Sequence, residues 1–309
     1  MNKIIRFYNQ NRVIFWIIVF VIIGIIVIVQ SLNKKYKNIR MQNSSDIRNN
    51  ITTSATYNTV TKPTISGDTI KEQTSTQTTK IIDDFMTFCN NKQIEQAYNL
   101  LSEDCRQELY PDIQAFTDYY YNNIFSEYRR YNIEAWITTT NVLTYKITIM
   151  QDILATGSIS KLNIQDYYTI VIENNDYKLN INNYIGKEEV NVQKNIKNVN
   201  FQIINKYVYM DYVIYNIKVH NNTDKKIMVD SKENTRTVNI IDQNKLKYVS
   251  FLNEISENDL TVLSGMTKEI RIKFNKSYNP KYIDKNIEFT DIILDLNNKQ
   301  NKNSITINL

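Results

Sequence analysis

Few side chains in this sequence could do chemistry, and their spacing does not bring them together as a catalytic set. The single histidine, His220, ends a run of alternating apolar and polar residues and is expected on the polar face of a strand. A general base needs an oriented partner within hydrogen-bonding distance, and no Ser-His-Asp order can be built around this residue. We therefore predict no catalytic residue and interpret the chain as non-enzymatic.

The acidic residues that stand side by side do not form a shared site. They occur at Asp83-Asp84, Glu103-Asp104 and Glu188-Glu189, and neighbours on a helix point about 100° apart. One histidine and two cysteines exclude His-rich and four-cysteine metal centres. Five glycines leave no room for the usual glycine-rich nucleotide loops. We predict no metal and no cofactor.

Cys89 and Cys105 are the only two cysteines. Both fall on the apolar faces of predicted neighbouring helices, so two interpretations stay open. Outside the cell they could form one disulfide, which would stabilise the fold by roughly 3 kcal/mol. Alternatively they are two buried free thiols.

The distribution of charge indicates a membrane protein rather than a nucleic-acid-binding one. The chain has 309 residues and a formal charge of +5. Seven of its 37 basic residues lie in the first 40 positions, which carry no acid, so 30 basic residues face 32 acidic ones in the remainder. This excess surrounds one uncharged segment, 13–33, whose length suits a bilayer.

We predict a short N-terminal tail (1–12), a retained transmembrane helix (13–33) and a single-pass location in the cell membrane. The residues predicted at the two membrane interfaces are Arg12, Trp16, Lys34, Lys35 and Tyr36. Basic residues flank both sides of the span, so charge alone does not fix its orientation. We expect the bulk of the chain outside the cytoplasm, in contact with the lipid bilayer and other envelope proteins.

Three regions follow the span. Residues 41–79 are rich in Ser and Thr without apolar periodicity, which predicts a flexible linker. Residues 80–187 show helical periodicity and then alternation, an α+β pattern. Residues 192–309 contain about seven short alternating runs separated by turns, which predicts an all-β sandwich. The predicted fold class is therefore α+β plus all-β.

Two resemblances refine this prediction. The stretch from Ile81 through Ala97-Tyr98 to Phe125, with the closing YYTIVIENNDYKLNINNYI, resembles the nuclear transport factor 2-like superfamily, a cone-shaped α+β fold. The stretches YNIKVHNNTDKKIMV, IIDQNKLKYV and LTVLSGMTKEIRIKF resemble the immunoglobulin-like domains of Gram-positive surface proteins.

These resemblances imply an envelope protein that binds or assembles with others. A narrower alternative is a bitopic component of a conjugative, type IV secretion-like transfer channel. Another is a small-molecule sensor or enzyme that uses the interior of the cone. The aromatic residues that could line such a pocket are Tyr119, Tyr120, Trp136 and Tyr145. Aromatic residues of this kind also form ordinary cores, so both interpretations stay open.

Overall fold

The computed structural model describes residues 72–139, 142–151, 163–234 and 236–309, together with Thr64. The predicted tail, the predicted span with its interface residues (Arg12, Trp16, Lys34, Lys35 and Tyr36) and most of the predicted linker lie outside these residues. Within the described part of the chain, no helix has both the length and the apolar character that crossing a bilayer requires.

The first helix, α1 (Glu72–Asn90), buries the face that its periodicity predicts. Ile82, Phe85 and Met86 are fully buried. The helix begins eight residues before Lys80, inside the predicted linker 41–79. Tertiary contact explains this difference, because Thr78 is buried and its hydroxyl lies 2.6 Å from that of Tyr145.

Five short helical segments lie between α1 and the first strand. They are α2 (Ile94–Asn99), α3 (Glu103–Leu109), α4 (Ile113–Phe116), a π-helical turn (Thr117–Tyr121) and α5 (Asn122–Ile124). Side-chain caps set two of their starts: Ser102 accepts a hydrogen bond from the Cys105 amide, and Asp112 accepts one from the Ala115 amide.

Four strands follow in an antiparallel sheet with the order β1-β2-β3-β4. They are β1 (Arg129–Thr138), β2 (Leu143–Gln151), β3 (Asn163–Glu173) and β4 (Asp176–Asn180). Asn174 and Asn175 form the turn of the hairpin between β3 and β4 with positive φ angles of 51° and 67°. The helices and this sheet enclose a first core, which contains Phe85, Phe116 and Tyr168.

The next strand, β5 (Tyr184–Ile196), runs through the predicted boundary between residues 187 and 192. Tyr184 belongs to the first core, whereas Ile185 belongs to a second core. From Tyr184 to Ile196 the strand pairs with β6 (Val199–Tyr209). One continuous strand therefore joins the two cores.

Two antiparallel sheets enclose the second core. One has the order β12-β7-β6-β5, and the other has the order β10-β9-β13-β8-β11, with β14 paired to β13. Their remaining strands are β7 (Val213–Asn221), β8 (Ile227–Met228), β9 (Val238–Asp242), β10 (Lys247–Val249), β11 (Thr261–Val262), β12 (Thr267–Phe274), β13 (Asp284–Ile293) and β14 (Lys302–Asn308). A 3₁₀ turn (Leu252–Glu254) and α6 (Glu257–Leu260) precede β11. Phe201 and Phe289 meet across the sheets with ring centroids 5.4 Å apart.

The described residues are thus mostly antiparallel β-sheet with a few helices, as the α+β and β-rich sequence pattern predicts. Except for Asn163, they belong to one compact unit that covers Ala55–Thr156 and Ile164–Leu309. The other unit, Met1–Ser54 and Gly157–Asn163, lies almost wholly outside them.

Candidate functional site

Asp166 in β3 is a buried acidic residue beside the aromatic residues of the first core. Alternate residues of a strand share a face, and Asp166 shares the buried face with Tyr168 and Ile170. Only 4% of its surface is exposed. An acidic residue on the buried side of a strand must satisfy its oxygens inside the protein.

Four donors satisfy Asp166. Its Oδ1 accepts hydrogen bonds from the backbone amides of Tyr167 at 2.7 Å and Asn183 at 2.9 Å. Its Oδ2 accepts from the Asn182 amide at 3.2 Å and from the Tyr120 hydroxyl at 2.9 Å. Asn182 and Asn183 both have positive φ angles, 59° and 64°. The carboxyl group therefore holds the tight turn between β4 and β5 against β3 and the π-helical turn.

Burial raises the pKa of Asp166 to about 6, although its four hydrogen bonds oppose this rise. Burial also raises the pKa of the Tyr120 and Tyr168 hydroxyls well above the ordinary value for tyrosine. A carboxyl with a pKa near neutrality could serve as a general base if substrate reached it. Both carboxyl oxygens of Asp166 instead accept hydrogen bonds from groups of the protein itself.

Aromatic rings fill the space around this carboxyl group. Phe116 stacks on Tyr120 with centroids 5.7 Å apart, and Phe85 meets Tyr168 edge-on at 5.6 Å. Each of these four rings is at most 2% exposed. Aromatic side chains therefore fill the part of the first core around Asp166. The sequence had left open a small-molecule pocket in the interior of this domain.

A second cluster of polar residues joins the two cores. Glu108 of α3, with a side chain only 7% exposed, forms an ion pair with Arg271 of β12. The Tyr209 hydroxyl donates to Glu108 at 2.9 Å. The Arg271 guanidinium also lies 4.6 Å from the centroid of the Tyr207 ring. We call Glu108, Tyr207, Tyr209 and Arg271 the junction cluster.

The four candidate pocket residues do not converge. Tyr119 is 74% exposed, whereas its neighbour Tyr120 lies beside Asp166. Trp136 packs against the second core, with its ring 5.5 Å from that of Tyr167. Tyr145 is buried against Thr78 of α1. A cleft of about 380 Å³ lies elsewhere, lined by Asn234, Arg236, Thr237, Thr290 and Asp291.

The other candidate residues occupy ordinary structural positions. Cys89 and Cys105 are both buried, and the structure has them as free thiols. Burial raises the pKa of both, to about 12 for Cys105. Nδ1 of His220 lies 2.7 Å from the Thr267 hydroxyl on the paired strand. Across the described ranges, no three His, Cys, Asp or Glu side chains group as a metal site.

The sequence contained a usable signal for Asp166 but not for the junction cluster. Asp166, Tyr168 and Ile170 keep the two-residue period of a half-buried strand, so an acid stands where an apolar residue is expected. Glu108 and Arg271 are 163 residues apart, and no local pattern connects them.

Comparison with protein-family models, with curated proteins and with solved structures finds no match to this chain.

Proposed function

We propose that this chain is a single-span, membrane-anchored protein of the bacterial cell envelope, with its bulk outside the cytoplasm, that binds or assembles with other envelope proteins without catalysis. The uncharged segment 13–33 and the basic residues on both sides of it support the membrane anchor. The structural observation that supports a non-catalytic role is that the buried acidic groups hold the protein together. Asp166 uses its carboxyl oxygens on four internal donors, and Glu108 pairs across the two cores.

The architecture supports the same proposal. Short helices followed by a four-stranded antiparallel sheet are compatible with a nuclear transport factor 2-like domain. Two packed antiparallel sheets are compatible with an immunoglobulin-like domain. Both folds host binding and scaffold proteins as well as enzymes, so the site must decide between these functions. The aromatic packing around Asp166 argues against the alternative of a small-molecule pocket in the first core.

Protease treatment of intact cells tests the location. With a C-terminal tag, we expect cleavage within 41–71 and release of a tagged fragment that contains residues 72–309. Protection of the tagged chain until the cells are lysed would reverse the proposed orientation. A cytoplasmic protein followed in the same samples serves as the control for cell integrity.

Crosslinking in intact cells tests the proposed activity. We expect a photo-crosslinker at the exposed residue Tyr119 or Tyr128 to capture discrete envelope proteins. The matched control places the same crosslinker at Phe116, which is fully buried and should capture none. Identical products from exposed and buried positions, or no products from exposed positions across the surface, would contradict a binding role.

A further inference from the structure

One end of the second core exposes three large apolar side chains on two adjacent loops. Leu246, between β9 and β10, is 51% exposed. Tyr282 and Ile283, just before β13, are 40% and 58% exposed. Isolated apolar residues on a surface are ordinary, but a group of them marks an interaction site.

Hydrogen bonds hold the two loops together. The Gln243 amide donates to the Ile283 carbonyl at 2.9 Å, and the Gln243 side chain donates to the Lys281 carbonyl at 2.7 Å. The Leu246 amide donates to Asp242 at 2.9 Å. The apolar side chains therefore project from a fixed framework, and little loop ordering is needed when they bind.

Lysines surround these apolar side chains. Lys245, Lys247, Lys281 and Lys285 are all exposed. Lys247 pairs with Glu288 at 2.8 Å, whereas the other three form no ion pair with any residue that the structure describes. We call Leu246, Tyr282, Ile283 and these four lysines the basic apolar end.

The acidic residues of the same loops face inward and do not cancel this charge. The Asp284 side chain is only 6% exposed and pairs with Lys276, while the Tyr215 hydroxyl donates to it at 2.7 Å. Asp242 is 2% exposed and accepts a hydrogen bond from Tyr248. The solvent-facing charge of these loops is therefore positive.

We propose that the basic apolar end docks on the surface of an anionic lipid bilayer. Apolar side chains flanked by lysines suit the boundary between headgroups and acyl chains, because burial of apolar area and attraction to anionic lipids act together. A polyanion alone would satisfy the lysines but leave Leu246 and Ile283 in water. This inference rests on the proposed function, because the proposed anchor and linker would keep the basic apolar end close to a bilayer.

The opposite end of β12 provides a matched control. Leu263 and Met266 are 52% and 57% exposed in a turn whose Gly265 has a φ of 70°. This turn precedes β12, whereas the loop with Ile283 follows it. The turn 263–266 contains no lysine. The Ser264 hydroxyl donates to the Thr223 carbonyl of the adjoining loop, where Asp224 and Asp295 balance the two exposed lysines, and Lys225 pairs with Asp295 at 2.6 Å. This end therefore exposes apolar side chains without the excess positive charge on which our inference depends.

The test uses the full chain reconstituted in vesicles and carrying an environment-sensitive fluorophore on Ile283→Cys. The native thiols are buried, so labelling of the folded protein is directed to the new cysteine. With about one third phosphatidylglycerol in phosphatidylcholine, we expect a blue-shifted emission that lipid-borne quenchers reduce. The ratio of docked to free protein, calculated from the emission spectrum, should fall about tenfold or more in pure phosphatidylcholine. The triple variant K245E/K281E/K285E should lower this ratio by a similar factor in the anionic vesicles.

The same label on Leu263→Cys should report water in every vesicle. Equal shifts at both ends, or no shift at Ile283→Cys with anionic vesicles, would overturn the docking proposal. So would an equal shift induced by soluble polyphosphate without lipid. Flotation of the chain with the vesicles after a high-salt wash reports the anchor separately. A chain that floats without a shift therefore contradicts docking, whereas a shift without salt-resistant flotation contradicts the proposed anchor.

Discussion

Arg271 of β12 and Glu108 of α3 form a bidentate ion pair. Nη1 of Arg271 donates a hydrogen bond to Oε2 of Glu108 at 3.1 Å, and Nη2 donates one to Oε1. The two residues stand 163 positions apart in the chain. Glu108 is nearly buried, and Arg271 is about half exposed. Paired donors on a planar guanidinium fix orientation as well as distance. The pair therefore sets how the helical part of the first core meets the second core.

Removing the arginine should destabilise the protein. Arg271→Gln leaves the nearly buried Glu108 carboxylate with Tyr209 alone, and we expect the free energy of unfolding to fall by about 1–2 kcal/mol. Chemical denaturation measures this change. The matched control is Lys80→Gln, because the Lys80–Asp84 pair is 72% and 42% exposed and should contribute less than about 0.5 kcal/mol. Equal losses in the two variants would show that the junction has no special role.

Asp166 should make stability depend on pH. Its pKa is raised from 3.8 to about 6, so the folded protein binds this proton more tightly than the unfolded chain. Its contribution to the free energy of unfolding therefore grows as pH falls from about 7 to about 4, on the order of 3 kcal/mol. Subtracting the curve of Asp166→Asn from that of the wild type isolates this contribution.

Asp295 supplies a control of opposite sign. Its pKa is lowered, chiefly by a hydrogen bond from Lys225. Its contribution is present above the unfolded pKa and is lost as pH falls, so Asp295→Asn should give a difference curve with the reverse slope. Parallel difference curves for the two variants would refute the assignment of Asp166.

Packing of the first core predicts a large cost for truncating Phe116. This ring is fully buried and lies 5.5 Å from Tyr110 and 5.7 Å from Tyr120. Phe116→Ala should lower the free energy of unfolding by about 3–5 kcal/mol, because the transfer energy and the cavity cost add. Ile113→Ala, at a residue 39% exposed on the same short helix, is the control and should cost much less. A mild effect at Phe116 would imply a core with room to collapse or to admit a ligand.

The cysteines should be unreactive in the folded protein. Burial raises the pKa of Cys89 and Cys105, so neither presents a thiolate at neutral pH. A thiol reagent should modify none in native conditions and two in denaturant without reductant. Modification of none in denaturant, together with an intact mass two units lower, would reveal the disulfide alternative.

Local periodicity predicted the elements of this fold well. The buried face of α1 follows from the spacing of Ile81, Ile82, Phe85, Met86 and Cys89. In β13 the spacing of Ile287, Phe289 and Ile292 departs from strict alternation, and the register shifts between Phe289 and Ile292. In both cases the signal lies within one element, where side-chain direction depends only on the helical or strand period.

Tertiary contacts decided what the periodicity could not. Trp136 follows Ala135 of the first core but, like Ile137 after it, packs in the second core. The start of α1 inside a Ser/Thr-rich stretch depends on Tyr145, which meets Thr78 from 67 residues away. Tyr119 and Tyr120 are adjacent, yet helical geometry turns one outward and the other into the core. The candidate pocket residues, chosen by residue type alone, therefore included both surface residues, such as Tyr119, and core residues, such as Tyr120.

The continuity of β5 has a mechanical consequence. Tension that enters through the first core reaches the second core along the axis of this strand, whose pairing with β6 extends from Tyr184 to Ile196. Such tension loads the hydrogen bonds between the two strands in shear, and register shifts at Tyr184/Gly186 and Glu189/Val192 divide this pairing into segments. Because Tyr184 and Ile185 are consecutive residues of β5 in different cores, a displacement of the first core acts directly on the second through the backbone of this strand.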